Sequence, residues 1–308
     1  MKRIGGDQMQ VRQLTGQTGT EFSDIDARDI SAADFAVIKE AWLSRCVVVI
    51  RDQHLSEAEL CAFSRRFGEL EPPPASEARR REEEAAEMWI ISNVIENGEP
   101  IGALGSGEAE WHTDMSYIAA PPSAPVLYGR EVVTDGGRTW FANMYAALAD
   151  MPPDLRAAIT GREANHDSTY TSAGDLRKGM AEVQDVSRAP GARHPIVRRH
   201  PVTGRDALYL GRRTNGWIVG MDVAESDLLL DRLWDWCTQD RYAYAHSWTP
   251  DDLLIWDNRA TIHRREAFDA AARRVMWRCQ VKDSAAIRDS ETIRERATIR
   301  ERATPLPS

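Results

Sequence analysis

Apolar positions along this chain come mostly in short runs, broken by polar and turn-forming residues. Cys46-Val47-Val48-Val49-Ile50 is a continuous run closed by Arg51-Asp52-Gln53, the pattern of a strand buried on both faces. Residues 11–26 alternate apolar and polar positions around glycines and predict a short hairpin. Ser31 and Asp34 supply cap chemistry ahead of a helix over 35–44. Ser56-Glu57-Ala58-Glu59 is a capping box, and Leu60, Phe63 and Phe67 continue it at helical spacing. Strands are expected at 89–95, 126–133, 139–141, 242–248, 253–256 and 274–281, with turn chemistry at Asp135-Gly136-Gly137. Residues 143–163 read as helical, interrupted at Pro152-Pro153, and 222–236 as an amphipathic helix. Ile196-Val197 and residues 207–210 flank a hairpin turn at His200-Pro201-Val202-Thr203-Gly204. Residues 96–110 and 167–190 read as loops, the second lid-like. Short strands with helices inserted between them predict a closed or double-sheet β core.

Two segments stand apart. Arg79-Arg80-Arg81-Glu82-Glu83-Glu84 reads as a solvated helix with surface ion pairs, or as a lid. Thr292-Ile293-Arg294-Glu295-Arg296-Ala297 recurs as Thr298-Ile299-Arg300-Glu301-Arg302-Ala303, a charged tail too short to be a solenoid. The expected organisation is one domain over residues 1–284 and a tail over 285–308.

With 308 residues and 42% hydrophobic content the chain can bury a substantial core. Its net charge of −9 argues against nucleic-acid or anionic-membrane partners. No apolar run is long enough to span a bilayer, and no signal peptide is expected. The four cysteines form no C-x-x-C pair and read as reduced, buried thiols of a cytoplasmic protein.

Among seven histidines, His54, His166, His194, His200 and His246 read as packing or hydrogen-bonding residues. His112 differs because Asp114 lies two residues on. With His263 they form the set of two imidazoles and one carboxylate that holds Fe(II) on one face and leaves sites for a 2-oxoacid and O2. The distal carboxylate of 2-oxoglutarate needs a fixed cation, and Arg274 offers a planar fork. Thr139 can add a hydrogen bond. Arg278 shares the strand parity of Arg274, so both can face one cavity, the second for a small anionic substrate. The alternative for Arg273, Arg274 and Arg278 is a basic strand making surface ion pairs. P-loop, dinucleotide-binding, nucleophile-elbow and H-E-x-x-H motifs are absent.

These residues sit among further ordered motifs: Gly19-Thr20-Glu21, Phe67-Gly68-Glu69-Leu70, Trp111-His112-Thr113-Asp114, Gly136-Gly137-Arg138-Thr139, Trp256-Asp257-Asn258-Arg259 and Arg273-Arg274-Val275-Met276. Over roughly 11–284 the chain resembles the taurine dioxygenase and 2,4-dichlorophenoxyacetate dioxygenase family of Fe(II)/2-oxoglutarate-dependent oxygenases. The resemblance implies a mainly β fold with inserted helices around a double-stranded β-helix (jelly-roll, cupin-like) core. It implies His112, Asp114 and His263 as iron ligands, Thr139 and Arg274 as 2-oxoglutarate ligands, and Arg278 at the substrate acid. Cofactors would be Fe(II), 2-oxoglutarate and O2, in a cytoplasmic homo-oligomer.

Glu69-Leu70-Glu71 replaces a substrate histidine of taurine enzymes, and Glu108-Ala109-Glu110 an asparagine. Trp277 stands where relatives often carry His, and Arg138 replaces a common Asp. These departures point away from taurine, and the C-terminal motifs resemble most the branch that acts on aryloxyalkanoate-type acids, which implies ether cleavage after hydroxylation and release of succinate and CO2. Trp111, Trp140 or Trp217 are candidates to line its pocket, although ten tryptophans in a chain of this length read more readily as core residues. Arg198, Arg199, Arg212 and Arg213 read as surface pairs. The alternatives are a hydroxylase or desaturase of an amino-acid-like substrate, whose amine Glu108 or Glu110 would meet, a non-catalytic metal-binding jelly roll, and a Zn²⁺ hydrolase in the same site.

Overall fold

Val47, Val48, Val49 and Ile50 form a strand with no exposed side chain, and its two faces enter different cores. Val47 and Val49 pack in one cluster with Leu127, Phe141, Trp256, Ile262 and Met276. Val48 and Ile50 pack in another with Val126, Tyr128, Ile255 and Cys279. A strand covered on both sides has no polar face, which explains the unbroken apolar run. The protein, described here as a computed structural model, is resolved into residues 9–73, 85–107 and 109–283. Arg79–Glu84 and the repeated tail lie outside the described residues.

The central sheet has eight strands in the order Gln10–Gln13, Thr20–Ser23, Val47–Ile50, Leu253–Trp256, Ala124–Glu131, Val275–Val281, Trp89–Ser92 and Ala103–Leu104. A four-stranded sheet, Ala243–His246, Thr139–Asn143, Thr261–Arg265 and Ala109–His112, faces it across the first core. Helices Ala32–Arg45 and Glu57–Ser64 cover the far side of the large sheet through Ile38, Trp42, Leu60 and Phe63. Helix Val223–Cys237 joins the first core through Leu229, Leu230 and Leu233. The two sheets with helices outside them are the expected double-stranded β-helix core.

Ser31 accepts from the Asp34 amide, and the Ser56–Glu59 capping box closes in both directions. Two readings are corrected. Residues 96–110 are not one loop: they hold the ribbon Ile95–Glu96/Glu99–Pro100, a strand parallel to Ile91-Ser92, and the strand ending at His112. Residues 143–163 form two short helices, Met144–Ala149 and Pro153–Ile159, followed by strand Glu163–Asp167. That strand pairs with Gly191–Pro195 and Trp217–Ile218, so strand pairing claims Glu163 where local pattern extended the helix. All four cysteines are buried and none is in a disulfide. No helix among the described residues is long and apolar enough to cross a membrane.

Candidate active site

Strand parity places the chemistry. In Val275–Val281, Met276 enters the first core while Trp277, Cys279 and Val281 belong to the helix-covered side. Arg274, Arg278 and Gln280 share the parity of Met276, and all three line cavities between the sheets. Trp277 therefore faces away from them and stacks on Tyr128 at 5.4 Å. In Thr261–Arg265, His263 and Arg265 face inward while Arg264 lies outside, over Trp140 and Trp111.

His112 lies opposite His263 across the small sheet. The ladder slips between His263 and Arg265, because Arg265 pairs with Ala109 and leaves an extra residue on the His112 strand. This bulge lets Ala109 and His112 both face the cavity while Glu110 points to solvent. Glu110 therefore does not enter the cavity, and Glu108 lies outside the described residues. The chain turns directly after Asp114, with Met115 at φ 48°. Asn258 clamps this turn: its Oδ1 accepts from the Asp114 amide at 2.9 Å, and its Nδ2 donates to the carbonyls of Asp114 and Pro122.

The ligand atoms of His112, Asp114 and His263 lie within 4.8 Å of one another, and all three residues are buried. This is the sole such group of three among the described residues. His112 Nδ1 lies 2.7 Å from the Glu110 carbonyl, so a proton shared there leaves the Nε2 lone pair, 3.6 Å from Asp114 Oδ1, free for a metal. Burial, and then the neighbouring His112, push His263 down to about 3, so its imidazole is neutral. Burial alone would raise the Asp114 carboxyl, but Arg278 and His263 outweigh it and hold it well below the usual carboxylate range. Arg278 donates to Asp114 Oδ2 at 2.6 Å. Two imidazole nitrogens and one carboxylate in this arrangement can hold a divalent cation by one face.

Two small cavities meet at this group. The inner one, about 80 Å³, reaches Thr139, Arg265 and Arg274. Trp248 Nε1 donates to the Thr139 hydroxyl at 3.0 Å, so the hydroxyl's own proton is available to a ligand. Arg274 is 2% exposed, and no carboxylate among the described residues pairs with its side chain. Burial, then Arg265, lower it to about 9. A buried guanidinium without a counter-charge is costly unless an anion joins it. The outer cavity, about 120 Å³, is lined by Trp89, Tyr117, Arg177, Arg212, Arg278 and Gln280, among others.

All six predicted site residues thus converge, whereas Arg273 pairs at the surface with Glu131 and Glu96. Trp111, Trp140 and Trp217 line neither cavity; Trp89 and Trp256 do. Arg199 and Arg213 make the expected surface pairs, but Arg212 belongs to the outer cavity. Arg265 had a signal, the same parity as His263. Trp89 had none, because its place depends on pairing with Arg278 across the sheet.

The family model described as taurine catabolism dioxygenase TauD, TfdA family matches residues 10–280. The chain belongs to this TauD/TfdA family. Among its relatives is the (S)-phenoxypropionate/alpha-ketoglutarate-dioxygenase of Sphingobium herbicidovorans, 30% identical over 90% of this chain and 96% of the relative. The pentalenolactone F synthase of Streptomyces arenae is 32% identical over 81% and 88%. The alpha-ketoglutarate-dependent 2,4-dichlorophenoxyacetate dioxygenase of Cupriavidus pinatubonensis is 31% identical over 86% and 94%. The crystal structure of AAD-2 in complex with Mn(II) and N-oxalylglycine superposes with a TM-score of 0.73 at 29% identity, covering 90% of this chain and 98% of that one. As a TauD/TfdA member the chain is a 2-oxoglutarate-dependent non-haem iron dioxygenase that uses O2.

Proposed function

We propose that this dioxygenase oxidises a small carboxylate of the aryloxyalkanoate type, with His112, Asp114 and His263 as the iron ligands. The observation that carries the assignment is the single buried His-Asp-His group at the junction of two cavities, each ending in arginine. Its donor set fits Fe(II), with Nε2 of His112 kept as an acceptor by the Glu110 carbonyl. When bound, Fe(II) couples decarboxylation of 2-oxoglutarate to oxidation of a substrate C–H by O2. Thr139 and Arg274 hold the distal carboxylate of 2-oxoglutarate in the inner cavity, where that carboxylate supplies the counter-charge Arg274 lacks. Arg278 keeps Asp114 ionised and turns its buried Nε, which lacks a partner, toward the acid of the substrate. Trp89 and Tyr117 offer ring faces to the aryl group.

An amino-acid-like substrate is less well served. Asp114 is the sole acidic residue lining either cavity among the described residues, so nothing there meets an amine. Family membership favours turnover over a non-catalytic metal site or a Zn²⁺ hydrolase. The enzyme is further proposed to be a cytoplasmic homo-oligomer, with the domain ending near residue 284; a monomer mass by light scattering would contradict the assembly.

Succinate release tests the reading, using aryloxyacids, amino acids and sulfonates with and without Fe(II) and 2-oxoglutarate. The aryloxyacids should give succinate in step with oxidised product, and His112→Ala should abolish it. Retained activity in that variant would remove the ligand assignment.

A further inference from the structure

The outer cavity holds more positive charge than a single substrate acid needs. Arg278 is shared between Asp114, which takes its Nη2, and the first acid, for which its Nε is left. Arg177 and Arg212 lie farther along the same wall, and among the described residues neither forms an ion pair with a carboxylate. Both converge on one carbonyl, that of Tyr170: Arg177 donates through Nε at 3.2 Å and Arg212 through Nη1. Arg212 also donates to the Asp167 carbonyl at 2.9 Å. The Asp167 carboxylate itself is engaged by Thr169 and Asn215. Both guanidiniums lie by the Tyr117 ring, at 4.4 and 5.6 Å from its centroid.

Like charges so close repel, and the partial burial of Arg212 deepens the cost. Burial, followed by the charge of Arg177, pushes Arg212 down to about 10. Carbonyls orient the two forks without neutralising them. An anion lying between them would satisfy the donors left over and cancel the repulsion, as in bidentate carboxylate or phosphate recognition. The segment that carries Arg177 is held in place. The Arg177 amide bonds the Thr169 carbonyl, and the Ser172 carbonyl accepts from Glu110 beside the His112 strand. The pair is therefore in fixed register with the metal group.

We propose that Arg177 and Arg212 form a second anion subsite, so that the preferred substrate is a dianion, an aryl acid carrying a further carboxylate on its ring. This rests on the reading above, in which the first acid faces Arg278. The ring would lie between the two acids, alongside Trp89 and Tyr117. A monoacid would leave both half-buried guanidiniums without an ion-pair partner among the described residues.

The test compares phenoxyacetate with its ring-carboxylated isomers. Binding is read by calorimetry on anaerobic protein loaded with Fe(II) and 2-oxoglutarate, and turnover by succinate release. At least one diacid should bind and react roughly 10- to 100-fold better than the monoacid. Arg177→Gln, which loses one long hydrogen bond, should lower the diacid-to-monoacid ratio by about tenfold or more. Arg212→Lys should do the same while keeping a cation in place. Equal affinity for monoacid and diacids in the wild type would overturn the proposal. So would an equal loss on both acids in the variants, which would put a lone carboxylate on the pair. Tighter diacid binding without succinate would uphold the subsite and defeat the reaction assigned to these substrates. Succinate from the monoacid, with no diacid preference, would do the reverse.

Discussion

At the scale of single residues, the account depends on which side chains are left without partners. Arg274 is the clearest case, a buried cation with no carboxylate paired to it among the described residues. Arg274→Gln should raise the half-saturating concentration of 2-oxoglutarate by roughly 10- to 100-fold, the cost of one charge-assisted contact. Initial-rate kinetics at varied 2-oxoglutarate checks this, and an unchanged value would move the cosubstrate elsewhere. His112, Asp114, His263 and Arg274 were legible because residue type and order carry the chemistry. Arg278 was legible because even spacing on a strand fixes its face. Arg177 and Arg212 were not. They stand outside regular strands, where no periodicity reports direction, and only the folded chain brings their guanidiniums to one carbonyl. The tryptophans show the same limit, since a large aromatic looks the same in sequence whether it lines a cavity, fills the core or caps a surface. Trp140 donates to Glu266 outside the cavities, whereas Trp89 lies inside one.

At the scale of elements, local irregularities position the site. The bulge before His112 could not be read from alternation, because it breaks alternation. Caps and the buried strand at 47–50 were legible, since they are written in a few adjacent residues. Backbone approach adds a further constraint at Gly211, whose carbonyl accepts from the Thr113 amide. A Cβ there would lie 2.2 Å from His166 Nδ1 and 2.6 Å from Ser116 Oγ. His166 is itself buried and stacked on Tyr209, so it has little room to yield. Gly211→Ala should cost about 1–3 kcal/mol and lower turnover by displacing the Asp114 turn and Arg212 together. Denaturant unfolding and succinate assays on one preparation check this; wild-type values in both would show that the contact relaxes freely.

At the scale of the whole molecule, a buried ion cluster ties the site to the rest of the fold. Asp257 accepts from His200 Nε2 at 2.9 Å and from Arg259 Nε at 2.8 Å, with all three side chains buried. It directly precedes Asn258, the clamp on Asp114. Burial alone would raise the Asp257 carboxyl, but Arg259 and His200 outweigh it and hold it far below its ordinary 3.8. A carboxyl whose folded pKa is depressed adds stability above its unfolded pKa and loses it as pH falls below. Asp257→Asn should therefore destabilise the protein at neutral pH by about 3–5 kcal/mol. The gap should narrow as pH drops below about 4. Melting temperatures across pH check the sign, and a gap that widens in acid would contradict it.

The central claim is that three distant side chains meet on a single ferrous ion while a guanidinium anchors the cosubstrate. Its most direct test is a crystal structure of the protein loaded anaerobically with Fe(II) and 2-oxoglutarate. The ion should be bonded to His112 Nε2, to a carboxylate oxygen of Asp114 and to His263, with the far carboxylate of 2-oxoglutarate on Arg274 and Thr139. Density for the metal away from these side chains, or the cosubstrate in the outer cavity, would contradict the account.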